Sequence, residues 1–216
     1  MSVIKHPHQR VAVIIDTQNL YHSAKNLHKA KVNFGAVVEA AVGGRQLIRA
    51  VSYVVHTESG EESAFFEALE KIGIEIKTKD LQIFYGGAKK ADWDVGMAVD
   101  AIKIAPKVDA VVFATGDGDF IPAVEYIKSL GCQVEAITFG RSASGGLRAA
   151  VDDFIDMDED PNTFLIGNRR HFSARNNSND KNDRVSRKRT TKKTTRKNTQ
   201  KKTDSVQTVG SDTDDV

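Results

Sequence analysis

Four aspartates stand where a hard divalent cation could be held. Asp117 and Asp119 lie in Thr115-Gly116-Asp117-Gly118-Asp119-Phe120, straight after the apolar run Ala110-Val111-Val112-Phe113. Asp16 closes a second apolar run, Val11 to Ile15, and Asp94 opens a run with helical apolar spacing that continues to Ile102. Cations such as Mg²⁺ or Mn²⁺ prefer oxygen ligands, and phosphoryl chemistry uses them to bridge attacking and leaving oxygens. Carboxylates brought close together raise one another's pKa unless a cation neutralises them. Each aspartate also has an ordinary duty open to it: Asp16 and Asp119 as helix N-caps, Asp117 as a turn residue, Asp94 as a first-turn carboxylate. Four of them at the ends of elements favour a shared metal site over coincidence.

Other polar residues flank this set. Asn19 lies one helical turn beyond Asp16, where its amide could orient that carboxylate or a water. Asp100 is turned away from Asp94 on the same helix and reads as structural, while Asp92 reads as that helix's N-cap. Lys89 and Lys90 follow Gly86-Gly87, and Arg141 and Arg148 bracket Ser142-Ala143-Ser144-Gly145-Gly146. Lys89, Lys90 and Arg141 could hold a substrate phosphate, or be simply solvated, and the serine-rich stretch could instead cap a helix. The histidines show no metal-ligand spacing on a confident helix, and no Gly-x-Gly-x-x-Gly, Walker loop or Gly-x-Ser-x-Gly elbow is present.

These residues need elements to place them. Val11–Ile15, Val51–Val55, Ala110–Ala114 and Val134–Ile137 read as buried strands, with Ile74–Ile76 and Leu81–Phe84 as weaker candidates. Helical spacing joins Leu20, Ala24 and Leu27; Phe65, Phe66, Leu69 and Ile72; Val95, Ala98, Val99 and Ile102; and Ile121, Val124, Ile127 and Leu130. Gly73 and Gly131 follow two of these segments as expected helix stops. Strand and helix alternating in this way predict a mainly parallel sheet covered on both faces. The carboxyl ends of such strands form the ligand crevice, where the aspartates fall.

The chain divides by composition. Its 216 residues carry a net charge of +2, yet residues 1–167 hold 17 Lys+Arg against 23 Asp+Glu, and residues 168–216 hold 14 against 6. We therefore expect a flexible N-terminus over 1–9, a catalytic domain over 10–167 and a disordered Lys/Arg/Thr-rich tail over 168–216. Such a polycation suits a nucleic-acid backbone, and with Phe172 as its one aromatic it offers little base stacking. A solubilising or targeting role is the alternative. Cys132 is the lone cysteine, which excludes an internal disulfide and a Cys-rich zinc site. No signal-like N-terminus or long apolar run is visible, so we expect a cytoplasmic protein with no membrane partner, compatible with a homo-oligomer.

With these residues in view, the chain resembles the NYN domain family, in its LabA-like branch, a relative of the PIN-type nucleases. The resemblance spans about Arg10 to Met157. It rests on Val-Ile-Ile-Asp-Thr-Gln-Asn-Leu around Asp16 and Asn19, Lys90-Ala-Asp-Trp-Asp-Val-Gly-Met-Ala-Val-Asp100, Thr-Gly-Asp-Gly-Asp-Phe around Asp117 and Asp119, and the closing segment Leu147 to Ile155. It implies a three-layer α/β/α PIN-like fold and a Mg²⁺- or Mn²⁺-dependent ribonuclease site at Asp16, Asp94 and Asp117, with Asp119 adjacent and Asn19 in support. The expected activity is hydrolysis of single-stranded RNA to 5′-phosphate and 3′-hydroxyl ends. An RNA-binding regulator with the same fold and little turnover is the alternative. A dehalogenase-type phosphatase is disfavoured, because Gln18 stands where that mechanism wants a second aspartate.

Overall fold

The computed structural model describes Val3 and residues 5–56, 63–80, 82–83, 89–90 and 93–167. The tail expected over 168–216, Asp92 and Gly86-Gly87 lie outside the described residues. In chain order the first half runs β1 (Arg10–Asp16), α1 (Thr17–His28), β2 (Lys31–Val32), α2 (Phe34–Val42), β3 (Gln46–His56), α3 (Ser63–Lys71), β4 (Glu75–Asp80), β5 (Gln82–Ile83) and β6 (Lys89–Lys90). The second half runs α4 (Asp94–Ile104), β7 (Ala110–Ala114), α5 (Ile121–Ser129), β8 (Gln133–Thr138), α6 (Gly145–Ala150), β9 (Asp153–Asp156), α7 (Pro161–Phe164) and β10 (Leu165–Ile166).

Six strands form one sheet in the order β4-β3-β1-β7-β8-β9, all parallel. The apolar runs make its middle: Val11 to Ile15 of β1 and all of β7 are buried, as strands covered on both faces must be. Alternate side chains go to opposite layers. Val11, Val13 and Ile15 pack with Leu20, Ala24, Val37, Ala41 and Leu69 of α1 to α3. Ala12 and Ile14 pack with Met97, Ala101, Val124, Ile127 and Leu147 of α4 to α6. The architecture is therefore a three-layer α/β/α sandwich. Strand order runs one way from β1 to β4 and the other way from β7 to β9, so the winding direction reverses between β1 and β7.

Several local expectations are corrected by packing. In α4, Val95 and Val99 are exposed (75% and 41%), whereas Met97 and Ala101 are fully buried against the sheet. Ile72 and Leu130, expected on buried faces, are about half exposed, because α3 stops at Lys71 and α5 at Ser129. Gly73 and Gly131 do close those segments at φ +81 and +82. Helix α2 and strand β9 add to the elements expected from sequence; of the expected strand Leu81–Phe84, the described residues Gln82 and Ile83 form β5, paired antiparallel with β6, and Leu81 and Phe84 lie outside the described residues. The buried Arg45 guanidinium, just before β3, and the Glu135 carboxylate in β8 pair at 2.5 Å, and Lys5 reaches the same carboxylate at 2.9 Å.

Candidate metal centre

Asp16 is the last residue of β1 and the N-cap of α1. One carboxylate oxygen accepts from the Asn19 backbone N–H at 2.9 Å, and the other accepts from the Thr115 hydroxyl at 3.2 Å. Thr115 follows β7 and in turn accepts from the Asp117 N–H at 3.2 Å. The strand ends on either side of the winding reversal are thus tied together through one threonine. The Asn19 side chain takes a duty that local spacing did not indicate: its carbonyl accepts from the Gly116 N–H at 3.0 Å and anchors the acidic turn to α1.

The turn itself is built by Asp117. Its carboxylate accepts from the Asp119 N–H at 3.0 Å, making Asp117 the N-cap of a short 3-10 turn, Gly118–Phe120, that leads into α5. The capping role open to Asp119 falls instead to Asp117, two residues earlier, and Asp119 sits in the first turn with its side chain exposed. Glycine suits 116 closely, since a Cβ there would stand 3.1 Å from the Ala143 Cα and 3.3 Å from the Ser142 carbonyl. That close approach lets the loop after β8 cover the turn, with the Ser144 N–H donating to the Gly116 carbonyl at 2.8 Å.

Asp94 reaches the same place from the opposite helix layer. It is the first residue of α4, where the helix dipole favours a carboxylate. The N-cap position is Trp93, which makes no side-chain cap bond. Asp94, Asp117 and Asp119 each offer an oxygen, and those oxygens lie within 4.8 Å of one another. Asp16 stands beside this trio rather than in it. Burial pushes the Asp16 carboxyl upward from its ordinary value, the bonds from Asn19 and Thr115 oppose that, and the charges of Asp94 and Asp117 raise it further. Three hard oxygen donors in so small a volume, with a fourth carboxylate strained by their charge, fit a divalent cation of the Mg²⁺ or Mn²⁺ type.

The flanking residues divide. Asp100 accepts from the Tyr53 hydroxyl at 2.7 Å and from the Lys77 ammonium at 2.5 Å, a structural use. Tyr53 pairs in register with Asp16, and burial with the Asp100 bond holds its phenol protonated. Arg141 lies on the loop after β8, where its N–H and guanidinium bond Asp158 at 3.0 and 2.8 Å and its guanidinium approaches His28 at 3.0 Å. The Arg141 side chain as a whole remains 57% exposed. Arg148 lies over the Phe154 ring and 3.8 Å from Asp156. Lys89 and Lys90 form β6 with their backbones, and their side chains lie outside those described. Tyr53 and Lys77 are signalled by no motif, since each gains meaning only from its cross-strand neighbours, and Trp93, although inside the Lys90–Asp100 motif, gains its role only from its bond to Val54.

The NYN domain model matches residues 10–158, which include every element that carries these aspartates. The chain belongs to the NYN domain family. Among relatives of this NYN chain, Low amplitude and bright protein LabA of Synechococcus elongatus is 24% identical over 120 residues, 53% of this chain and 64% of LabA. An uncharacterised protein of Methanocaldococcus jannaschii is 27% identical over 158 residues, 70% of this chain and 56% of that protein. The matches thus span less than two thirds of either curated relative. A crystal structure of a protein of unknown function from Vibrio parahaemolyticus is similar with a TM-score of 0.68 and 28% identity, over 76% of this chain and 100% of that one. NYN domains form a PIN-like nuclease family, and this chain carries an acidic group suited to metal.

Proposed function

We propose that this NYN chain is a Mg²⁺- or Mn²⁺-dependent endoribonuclease that hydrolyses single-stranded RNA. The observation that carries the reading is the convergence of Asp94, Asp117 and Asp119 within 4.8 Å, beside Asp16, at the reversal point of the sheet. A bound cation supplies the positive charge that a phosphodiester needs as negative charge develops on its oxygens. The chain's own residues do the rest. Asp94, Asp117 and Asp119 would hold the cation, while Thr115 fixes Asp16 relative to the turn and Asn19 keeps the turn against α1. Water attacks the phosphorus in line as the P–O3′ bond breaks, and the proton it loses is balanced by the one the departing 3′-oxygen gains, leaving 5′-phosphate and 3′-hydroxyl ends without a nucleophilic side chain. Lys89, Lys90 and the exposed side chain of Arg141 are the proposed phosphate contacts, and the basic segment 168–216 adds sequence-independent RNA affinity.

The test is incubation of end-labelled single-stranded RNA with the full chain, with Mn²⁺ or with EDTA, alongside Asp117→Asn. Internal cleavage that needs Mn²⁺ and falls by orders of magnitude in the variant is expected. RNA binding with no cleavage by the native chain in Mn²⁺ overturns the hydrolase and leaves an RNA-binding regulator. Among the described residues no helix is long and apolar enough to cross a membrane.

A further inference from the structure

Beyond the acidic trio, the carboxyl rim of the sheet carries an aromatic and cationic surface that the proposed hydrolysis does not use. Passing outward from Asp16 on β1, the next residue in register is Tyr53 on β3, and the next is Lys77 on edge strand β4. Two residues further along β4, Lys79 lies opposite Val55, on the same face as Lys77. Trp93 covers this corner. Its indole N–H donates to the Val54 carbonyl at 3.0 Å, its ring meets Tyr53 edge-on at 5.3 Å, and the Lys79 ammonium lies 5.8 Å from its centroid. Trp93 is half-buried and Lys79 exposed. Asp94, the next residue, belongs to the trio. The order along the rim is therefore carboxylates, then a partly open indole, then lysine ammoniums, across two strand spacings of about 4.8 Å each.

That order matches one kind of ligand. A strand whose phosphate lies at the carboxylates places its neighbouring base and next phosphate further along the rim. An indole held by its N–H offers a stacking face to any base once the Lys79 ammonium that lies over the ring turns from it to a phosphate, whose charge it meets. A duplex keeps its bases stacked internally and cannot give one to Trp93. We propose that Trp93 and Lys79 form a nucleotide subsite for single-stranded RNA, in which a base flanking the scissile phosphate stacks on Trp93 and Lys79 pairs with the adjoining phosphate. The subsite rests on the ribonuclease reading only for which phosphate it flanks.

Trp93 is the chain's only tryptophan, so emission excited at 295 nm reports this position alone. The experiment titrates the full chain, in EDTA to prevent cleavage, with a fluorescein-labelled single-stranded oligoribonucleotide, its duplex, and inorganic polyphosphate. Saturable quenching by the single strand, at the concentration where anisotropy reports binding, and much weaker quenching by the other two, is expected. Trp93→Ala should weaken single-strand binding by about 5- to 150-fold, with Trp93→Phe recovering most of it. Lys79→Gln should flatten the log-log salt slope by about 0.7. Binding by anisotropy with no change in tryptophan emission, or equal quenching by polyphosphate, overturns the subsite. Cleavage is scored separately with Mn²⁺: quenching without cleavage retains the subsite and removes the hydrolase, whereas cleavage without quenching does the reverse.

Discussion

At the scale of single residues, Asp16 does two jobs that oppose each other. One of its oxygens caps α1, which stabilises the helix start, while its charge sits beside Asp94 and Asp117 in a partly buried place. Asparagine keeps the capping oxygen and removes the charge, and alanine removes both. In EDTA, Asp16→Asn should therefore melt at or above the native temperature, and Asp16→Ala should lose about 0.5–2 kcal/mol by chemical denaturation. Equal stability of the two variants would show that the cap contributes nothing. Cys132 gives a second residue-level expectation. Burial first, and then the charges of Asp109 and Asp152, push its thiol from 9.0 up to about 11. A raised folded value means that stability is complete below the unfolded pKa and declines as pH rises toward the folded one. Between about pH 9 and pH 11 the native chain should lose stability more steeply than Cys132→Ala, and its thiol should react slowly with disulfide reagents at pH 8.

At the scale of elements, the position of α4 decides whether Asp94 reaches the turn after β7. The helix is held to β3 through the Trp93 N–H and Val54, and the ring lies so close to α4 that a Cβ on Gly96 would stand 2.8 Å from an indole carbon. Gly96→Ala gains about 1 kcal/mol of helix propensity, yet it must displace a ring fixed by a hydrogen bond. The expected result is little net change in unfolding free energy, a shifted tryptophan emission, and a several-fold loss of Mn²⁺ affinity as Asp94 moves off the trio. An unaltered Mn²⁺ titration would mean that Trp93 does not position Asp94. In the opposite direction, any one of Asp94→Asn, Asp117→Asn and Asp119→Asn should abolish most turnover, with pairs of them losing little more, because residues sharing one cation act as a unit. Additive losses in the turnover series would exclude a shared cation.

At the scale of the whole molecule, charge is divided between an acidic body and a basic segment. Deleting residues 168–216 removes 14 Lys+Arg and only 6 Asp+Glu. Each phosphate contact with a single strand contributes roughly 0.7 to the magnitude of the salt slope, so RNA affinity should fall and its salt dependence should flatten. The aspartates of the trio all lie upstream, so cleavage of a short RNA at saturating concentration should persist. An unchanged affinity and slope would make the segment a solubilising or targeting extension. The buried pair joins Arg45, just before β3, to Glu135 in the middle of β8, short of the carboxyl rim where the trio gathers.

The sequence by itself determined the sheet and the addresses of the acids. Runs such as Val11 to Ile15 and Ala110 to Ala114 are buried on both faces, and burial of that kind needs only local composition to be read. Because Asp16 and Asp117 directly follow such runs and Asp94 opens a helix, their arrival at one rim followed from parallel topology. Tertiary structure decided what lies across space. The inward face of α4 is Met97 and Ala101 rather than Val95 and Val99, since both sets have helical spacing and only the anchoring of Trp93 on β3 selects between them. Helix α2 escaped notice because Phe34 to Val42 is almost uniformly apolar and shows no polar contrast. Asn19 bonding Gly116, and Asp119 joining Asp94 and Asp117 while Asp16 stands aside, depend on partners as much as 97 residues away. Local pattern carries the period of an element, whereas which side chains meet is fixed only when the layers close on one another.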